Sequence, residues 1–227
     1  MPRHVLPSAL LLAGALTACS QRDATPKAPQ ANAPAATQLS TPATDSLVKA
    51  ADRGRVLGAE SASVWLLVVS DFQCPWCKRW HDETFPALKR DYVETGKLRI
   101  AYLNFPLGMH ANAWPSATAA MCASAQGKFW ETHDRIFATQ KTWETLADAT
   151  KFLDSLAVAA GADAARQAAC SHSTALKPLI DADQDRARKA GAESTPTFFV
   201  GQVPIIGADS LAKFRRVIDA ALKAAGK

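Results

Sequence analysis

Two cysteines separated by two residues, Cys74 and Cys77, are the side chains best suited to chemistry in this sequence. A pair at this spacing can close one small disulfide or hold one metal ion. The apolar run before it, residues 64–69, predicts a buried strand, and residues 78–92 after it predict a helix. A strand, a tight turn, a cysteine pair and a helix together are the usual setting of a redox dithiol.

The two cysteines are predicted to have different roles. Cys74 lies where the helix begins, and there the unpaired backbone N–H groups and the positive end of the helix dipole stabilise an anion. The pKa of its thiol should therefore be lowered. Cys77 lies one turn further into the helix and should be more buried. We predict that Cys74 is the attacking thiolate and Cys77 the resolving thiol, with Pro75 and Trp76 between them.

Two other interpretations of the cysteine pair are open at this point. A structural disulfide is one, although a CxxC pair closes almost no loop and would add little stability. Zinc is the stronger alternative, because His81 follows Cys77 by four residues and could share its helix face. A zinc site would still need a fourth ligand, and no second CxxC occurs. We therefore prefer redox chemistry with no metal and no cofactor, and interpret His110 and His133 as packed or capped residues.

The elements before and after the pair predict a βαβ unit. Residues 55–57 predict a short first strand and residues 64–70 the central strand. Gly96 ends the helix that follows the cysteines, and residues 98–105 predict a strand parallel to the central one.

An all-helical block follows this unit. No convincing strand is predicted between residues 112 and 189, where apolar residues recur at helical spacing. Two buried helical faces are predicted, one formed by Phe129, His133, Ile136 and Phe137 and the other by Leu146, Ala149, Leu153 and Leu156. The chain is therefore expected to be an α/β domain with a helical insertion at about residues 107–190.

Strand signals return after the helical block. Residues 197–200 and 203–206 predict a hairpin that turns at Gly201 and Gln202. Pro204 restricts the second of these strands to the edge of a sheet. A last helix, capped by Asp209 or Ser210, is predicted to bury one stripe formed by Leu211, Phe214, Ile218 and Leu222.

This order of elements is similar to the thioredoxin fold, and with the insertion it resembles the DsbA-like family of exported thiol–disulfide oxidoreductases. The resemblance is carried by the segments SDFQCPWC at 70–77, QGKFW at 126–130 and STPTFFV at 194–200. It implies that the chain forms or exchanges disulfides in secreted proteins. It also implies that Pro196, after Thr195, has a cis peptide bond and faces the cysteine pair. Family isomerases usually carry a separate dimerisation domain, for which this chain has no room, so we expect a monomer.

Two positions depart from the family pattern. Some members have histidine at the third position of the CxxC motif, where this chain has Trp76, and an indole cannot stabilise a thiolate as a cation. Thioredoxin-like proteins often place a buried acid six residues before the first cysteine, where this chain has Val68; Asp71 is nearer. Reduction and isomerisation therefore stay open beside oxidation. A different class of function is also open: a metal-binding or carrier module that uses the cysteine pair and His81.

The amino-terminal residues predict export and lipid anchoring. In residues 1–18, Arg3 precedes an apolar run that is shorter than the about 20 residues of a transmembrane helix. The sequence Leu16-Thr17-Ala18-Cys19 resembles the lipobox of bacterial lipoproteins, which implies cleavage before Cys19 and its lipidation. Cleavage after Ala18 without lipidation is the alternative. The resemblance extends to Ser20, which favours the outer membrane over the inner one.

Residues 19–46 predict a flexible linker rich in Pro and Ala, and residues 47–227 predict one folded domain. The net charge of +5 comes from Lys and Arg that are scattered along the chain, which argues against a nucleic-acid partner. The expected partners are cysteine-containing exported proteins and a protein that reoxidises or reduces the CxxC pair.

Two of the five cysteines, Cys122 and Cys170, are left after Cys19 and the CxxC pair are assigned. An even number of remaining cysteines in an oxidising compartment predicts that they form a structural disulfide; two separate buried thiols are the alternative.

Overall fold

The computed structural model describes residues 42–226, so the predicted signal peptide, Cys19 and most of the predicted linker lie outside the described residues. The first described element is helix α1 (Pro42–Gly54), which begins within the segment predicted as linker. Its ends suit a helix, because Asp45 lies in the first turn and Arg53 in the last, where each charge complements the helix dipole. Within the described range, no helix is long and apolar enough to cross a membrane.

A five-stranded sheet with the strand order β1-β3-β2-β4-β5 organises the described domain. Its strands are β1 (Val56–Leu57), β2 (Val64–Ser70), β3 (Leu98–Asn104), β4 (Thr197–Val200) and β5 (Val203–Ile206). Strand β2 is central, as predicted, because it pairs in parallel with β3 and antiparallel with β4. It is less completely buried than its apolar run indicated, since Trp65 is 37% exposed and packs under the guanidinium of Arg99.

Helix α2 (Pro75–Glu83) follows β2 and carries the cysteine pair at its beginning. The sequence predicted one helix over residues 78–92, but the structure has a break at Thr84. The reason is Pro86, which has no N–H to donate and whose ring disfavours a continuous helix. A short helix α3 (Phe85–Leu88) and a π-helical turn (Lys89–Val93) complete the connection to β3.

Six helices separate β3 from β4 in the described chain: α4 (Ala113–Ser124), α5 (Phe129–Ala138), α6 (Gln140–Trp143), α7 (Thr150–Ala159), α8 (Ala164–Ser171) and α9 (Lys177–Lys189). The predicted face of α5 is buried at every position. The second predicted face is wrong at Leu146, which is 39% exposed and precedes α7. The carbonyl of Leu146 instead accepts the side-chain amide of Asn112 at 2.8 Å. After the β4–β5 hairpin, α10 (Leu211–Ala224) begins with Ser210 as its cap.

In the structure, Cys122 of α4 and Cys170 of α8 are joined by a disulfide that spans 48 residues. We expect mild reductant to open the CxxC disulfide and leave this bond intact, because it has no activated thiolate beside it. Alkylation followed by mass spectrometry should recover a linked Cys122–Cys170 peptide and labelled active-site cysteines. In the chain-entropy picture a loop of this length stabilises the fold by at most about 4 kcal/mol. Free Cys122 and Cys170 thiols in freshly isolated, unreduced protein would contradict the prediction.

Candidate active site

Cys74 is the residue immediately before the first turn of α2, with extended backbone angles φ −70° and ψ 124°. Pro75 takes the first helical position, where its fixed φ favours the helix and its missing N–H costs nothing. The backbone N–H groups of Trp76 and Cys77 are therefore the unpaired donors that reach the Cys74 sulfur. Cys74 and Cys77 are both free thiols in the structure.

The surroundings of the two sulfurs differ in the way an exchange reaction needs. A hydrogen bond from the Cys77 thiol, helped by the backbone N–H groups, lowers the pKa of Cys74 to about 6. The Thr195 side chain also lowers this pKa. In the thiol form, Cys74 donates to the carbonyl oxygen of Thr195, which lies 3.5 Å from its sulfur. Burial raises the pKa of Cys77 well above its usual value, and its neighbour's negative charge raises it further. Cys74 is thus the more acidic thiol and Cys77 the protonated one at neutral pH.

Both cysteines of the pair are almost completely buried. Only 4% of Cys74 and 1% of Cys77 is exposed. The Thr195–Pro196 peptide bond is cis, as the family resemblance implied, and it lies over this end of the helix through the contact of Thr195 with Cys74. A groove of about 650 Å³ runs beside them and is lined by Trp76, Ser194, Thr195, Ile206, Gly207, Ala208, Asp209 and Ser210. Two large apolar side chains at its rim are exposed, Trp76 to 56% and Ile206 to 67%.

Asp71, the nearest buried acid, holds the loop before the cysteines. Its carboxylate accepts the backbone N–H groups of Gln73 at 2.8 Å and Leu107 at 2.9 Å, and lies 2.7 Å from Nδ1 of His110. Its own carbonyl accepts the N–H of Cys74 at 3.1 Å. Burial raises the pKa of Asp71. The pairing with His110 could not be predicted, because a contact between residues 39 apart leaves no local pattern.

Two glutamines connect the cysteine loop to the helical insertion, and neither was predicted from the sequence. Gln140 of α6 donates its side-chain amide to the carbonyl oxygens of Phe72 at 2.7 Å and Cys74 at 3.2 Å. Gln73 donates its amide to the carbonyl of Glu144 at 2.9 Å. The insertion therefore fixes the backbone conformation from which Cys74 presents its sulfur.

The zinc alternative required His81 to lie beside the two cysteines, but its side chain faces residues of α5. Its Nε2 atom lies 3.2 Å from a carboxylate oxygen of Asp134. In the described part of the chain, one group of His, Cys, Asp or Glu side chains has three ligand atoms within 4.8 Å of one another, and it consists of His81, His133 and Asp134. The structure thus contradicts the ligand set formed by Cys74, Cys77 and His81.

Alkylation of the reduced protein should label Cys74 first. Its rate should rise as the pH passes through about 6 and level off above neutral pH, because the thiolate fraction of a thiol with a lowered pKa is complete there. Cys77 should stay unlabelled over this range. The denatured protein is the control, since its cysteines should show equal rates that rise near an ordinary thiol pKa of about 8.5. Faster labelling of Cys77 below neutral pH would contradict the assignment of roles.

Comparison with known proteins gives a consistent result. Residues 50–220 match the family described as Thioredoxin. A probable disulfide bond formation protein D of Bacillus anthracis is 30% identical over 171 residues, which cover 74% of this chain and 77% of that protein. The solved structure of oxidised BdbD from Bacillus subtilis has a TM-score of 0.69 and 22% identity over 75% of this chain and 94% of its own. Alpha-DsbA1 of Wolbachia pipientis has a TM-score of 0.68 and 23% identity over 75% of this chain and 92% of its own.

Proposed function

This chain belongs to the thioredoxin family and is a DsbA-like thiol:disulfide oxidoreductase, and from that premise we propose that it introduces disulfides into exported proteins through Cys74 and Cys77. One observation carries the proposal: the pKa of Cys74 is lowered to about 6 while the pKa of the adjacent, buried Cys77 is raised. A low pKa makes Cys74 a good leaving group and stabilises the reduced enzyme. Both effects favour the direction in which the enzyme gives its disulfide away.

The proposed reaction has two steps. A client thiolate attacks the Cys74 sulfur of the oxidised enzyme, the Cys74–Cys77 bond breaks, and Cys77 leaves and takes up a proton. A second client thiolate then attacks the client sulfur of the mixed disulfide and expels Cys74 as a thiolate. Two electrons pass from the client to the enzyme, so a redox partner must reoxidise the cysteine pair before the next cycle. Run in reverse, the same steps reduce a client disulfide or exchange it for another.

A reduction potential measured against glutathione buffers tests this proposal. A value near −120 mV, about that of a strong oxidant, would support the proposal, whereas a value near −270 mV, about that of thioredoxin, would make the chain a reductant. Trp76→His is the informative matched variant, since it restores the histidine that some family members have at this position. If Trp76→His leaves the potential unchanged, the third position does not control it. A reductant-like potential together with efficient reduction of a client disulfide would replace the proposal with the reductase alternative.

The chain is further proposed to act outside the cytoplasm, as a lipoprotein anchored by Cys19 to the periplasmic side of the outer membrane. The apolar leader, the lipobox and the composition of residues 20–41 support this location. Acyl chains stabilise membrane binding by about 0.8 kcal/mol for each buried CH₂ group, so several of them would hold the protein firmly.

Cys19→Ser should release the protein from membranes and leave its exchange activity unchanged. The reason is that the lipid would be lost while α1 and everything after it stay intact. Membrane and soluble fractions are compared after a salt wash, with Ser20→Ala as the matched control that retains the lipidated cysteine. A Cys19→Ser protein that remains in the washed membranes would contradict the lipid anchor.

A further inference from the structure

His81, His133 and Asp134 form a cluster between the redox helix α2 and the insertion helix α5. His81 lies one turn beyond Cys77 on α2, and the other two residues are adjacent on α5. One carboxylate oxygen of Asp134 lies 3.2 Å from Nε2 of His81 and 2.8 Å from Nδ1 of His133. From this geometry we propose that the cluster is a site for a divalent transition metal ion, of which Zn²⁺ is the representative.

The distances suit a tetrahedral ion. With metal–ligand bonds of about 2.0 Å, neighbouring ligand atoms of tetrahedral zinc are separated by about 3.3 Å. The distance from Nε2 of His81 to the Asp134 carboxylate oxygen already has about this value. The distance from Nδ1 of His133 to the same oxygen must increase by about half an ångström to reach it. All three ligand atoms lie within 4.8 Å of one another. Two imidazole nitrogens and one carboxylate oxygen are ordinary zinc ligands, and they leave a fourth position for water.

The second nitrogen of His81 is also placed as a metal site requires. Nδ1 of His81 lies 2.9 Å from a carboxylate oxygen of Asp82. When Nδ1 donates to that carboxylate, Nε2 carries the lone pair that faces Asp134. In metal sites, a histidine that binds the ion with one ring nitrogen commonly donates the N–H of the other to a carboxylate. The other oxygen of Asp82 pairs with Lys78 at 2.7 Å, so the Asp82 carboxylate is itself fixed.

Aromatic packing holds the two imidazole rings in place. His81 is stacked on Phe137 at 5.0 Å between ring centroids, and Phe137 also makes an edge contact with His133 at 5.0 Å. The His133 side chain is 1% exposed, that of His81 13% and that of Asp134 44%. The cluster is therefore buried on one side and open to solvent at the carboxylate, which gives an ion a path to enter. Its ligands include no thiol, so it is distinct from the redox pair.

Metal uptake by the oxidised full-length protein carrying Cys19→Ser tests the site, because its four remaining cysteines, Cys74, Cys77, Cys122 and Cys170, are then in disulfides and cannot bind zinc. Calorimetric titration of the metal-free protein with Zn²⁺ should give one ion per chain, and Zn²⁺ should raise the midpoint of thermal unfolding. Co²⁺ should give the absorption of a tetrahedral nitrogen and oxygen site without a thiolate charge-transfer band. His81→Gln and Asp134→Asn should each weaken binding at least about tenfold, the lower end of what loss of a supporting group costs.

Matched controls are His172→Gln and Asp148→Asn, which replace exposed residues of the same types outside the cluster. Both should bind Zn²⁺ like the unchanged protein. Thermal unfolding in the absence of metal shows whether each variant is folded, and Asp134→Asn changes a side chain that is 44% exposed. The proposal is overturned if the oxidised protein takes up no Zn²⁺, or if uptake is the same in both cluster variants. It is also overturned if only the reduced protein binds, through its thiols.

Discussion

Cys77→Ala should accumulate as a stable mixed disulfide with its clients. Cys74→Ser should lose disulfide exchange by about a thousandfold or more, because the proposed covalent intermediate forms on the Cys74 sulfur. The two cysteines act in different steps, so their removal should have different products. Without Cys77, a thiolate at position 74 can still attack a client disulfide, but nothing within the enzyme resolves the result. Without Cys74, the remaining Cys77 is buried in the helix, and burial keeps its pKa raised, so it is protonated at neutral pH.

Non-reducing electrophoresis of the two variants mixed with an oxidised client measures this difference directly. Cys77→Ala should give a band that disappears with reductant, and Cys74→Ser should give none. A double variant, Cys122→Ala with Cys170→Ala, is the control, because it removes two cysteines that lie outside the site. Once shown to be folded, it should exchange disulfides normally. A Cys74→Ser protein with more than a tenth of the normal activity would contradict the assigned nucleophile.

The sequence predicted the elements whose information is local. Strand β2 and the hairpin formed by β4 and β5 have the predicted bounds, because apolar runs ending in turn residues specify them within a few residues. Cys74 was predicted to lie where the helix begins, and it does, although the helical pattern was recognised only from residue 78. The structure adds residues 75–77, because the fixed φ of Pro75 suits the first helical position. Helix α1 was not predicted at all. Its beginning lies in a stretch of Pro, Ala and Thr that has the composition of a linker, and its apolar side, Leu47 and Val48, packs on the core only in the folded domain.

The side chains that hold the site could not be predicted in the same way. Gln140 reaches the cysteine loop across 66 and 68 residues, and Asp71 meets His110 across 39. Glutamine and histidine are ordinary surface residues in a sequence, and only the packing of the insertion against the sheet turns them into partners. The motif was therefore enough to predict a nucleophile and a resolving thiol, which stays a prediction, whereas the residues that position the pair could not be predicted.

Asp183 is a residue whose importance for stability could not be predicted from the sequence either. Its removal should have the largest effect on the free energy of unfolding. In the sequence it lies in the polar run of α9 and would pass for a solvated charge, but the structure leaves none of its side chain exposed. Its carboxylate forms an ion pair with the buried guanidinium of Arg55. It also accepts the backbone N–H of Asn104 at 3.1 Å and the side-chain amide of Asn104 at 3.0 Å. One carboxylate thus ties α9 to β3 and to the segment that follows α1.

Asp183→Ala should lower the free energy of unfolding by about 3–5 kcal/mol, because it leaves the buried Arg55 charge without its buried partner. Asp52 also contacts Arg55, but its side chain is 53% exposed and its charge is screened by water. Urea unfolding of the oxidised protein measures the loss. Asp181→Ala is the control on the same helix; it breaks an exposed pair with Lys177 and should cost at most about 1 kcal/mol.

A second variant separates the ion pair from the packing around it. Arg55→Met combined with Asp183→Leu replaces both charges by apolar side chains of similar size, and it should recover much of the lost stability, because an apolar pair needs no desolvation of charge. Recovery short of the original value is expected, since Asn104 would still lose the acceptor for its two N–H groups. A loss below about 1 kcal/mol for Asp183→Ala would show that water or Asp52 compensates Arg55, and would contradict the dependence of the fold on this buried pair.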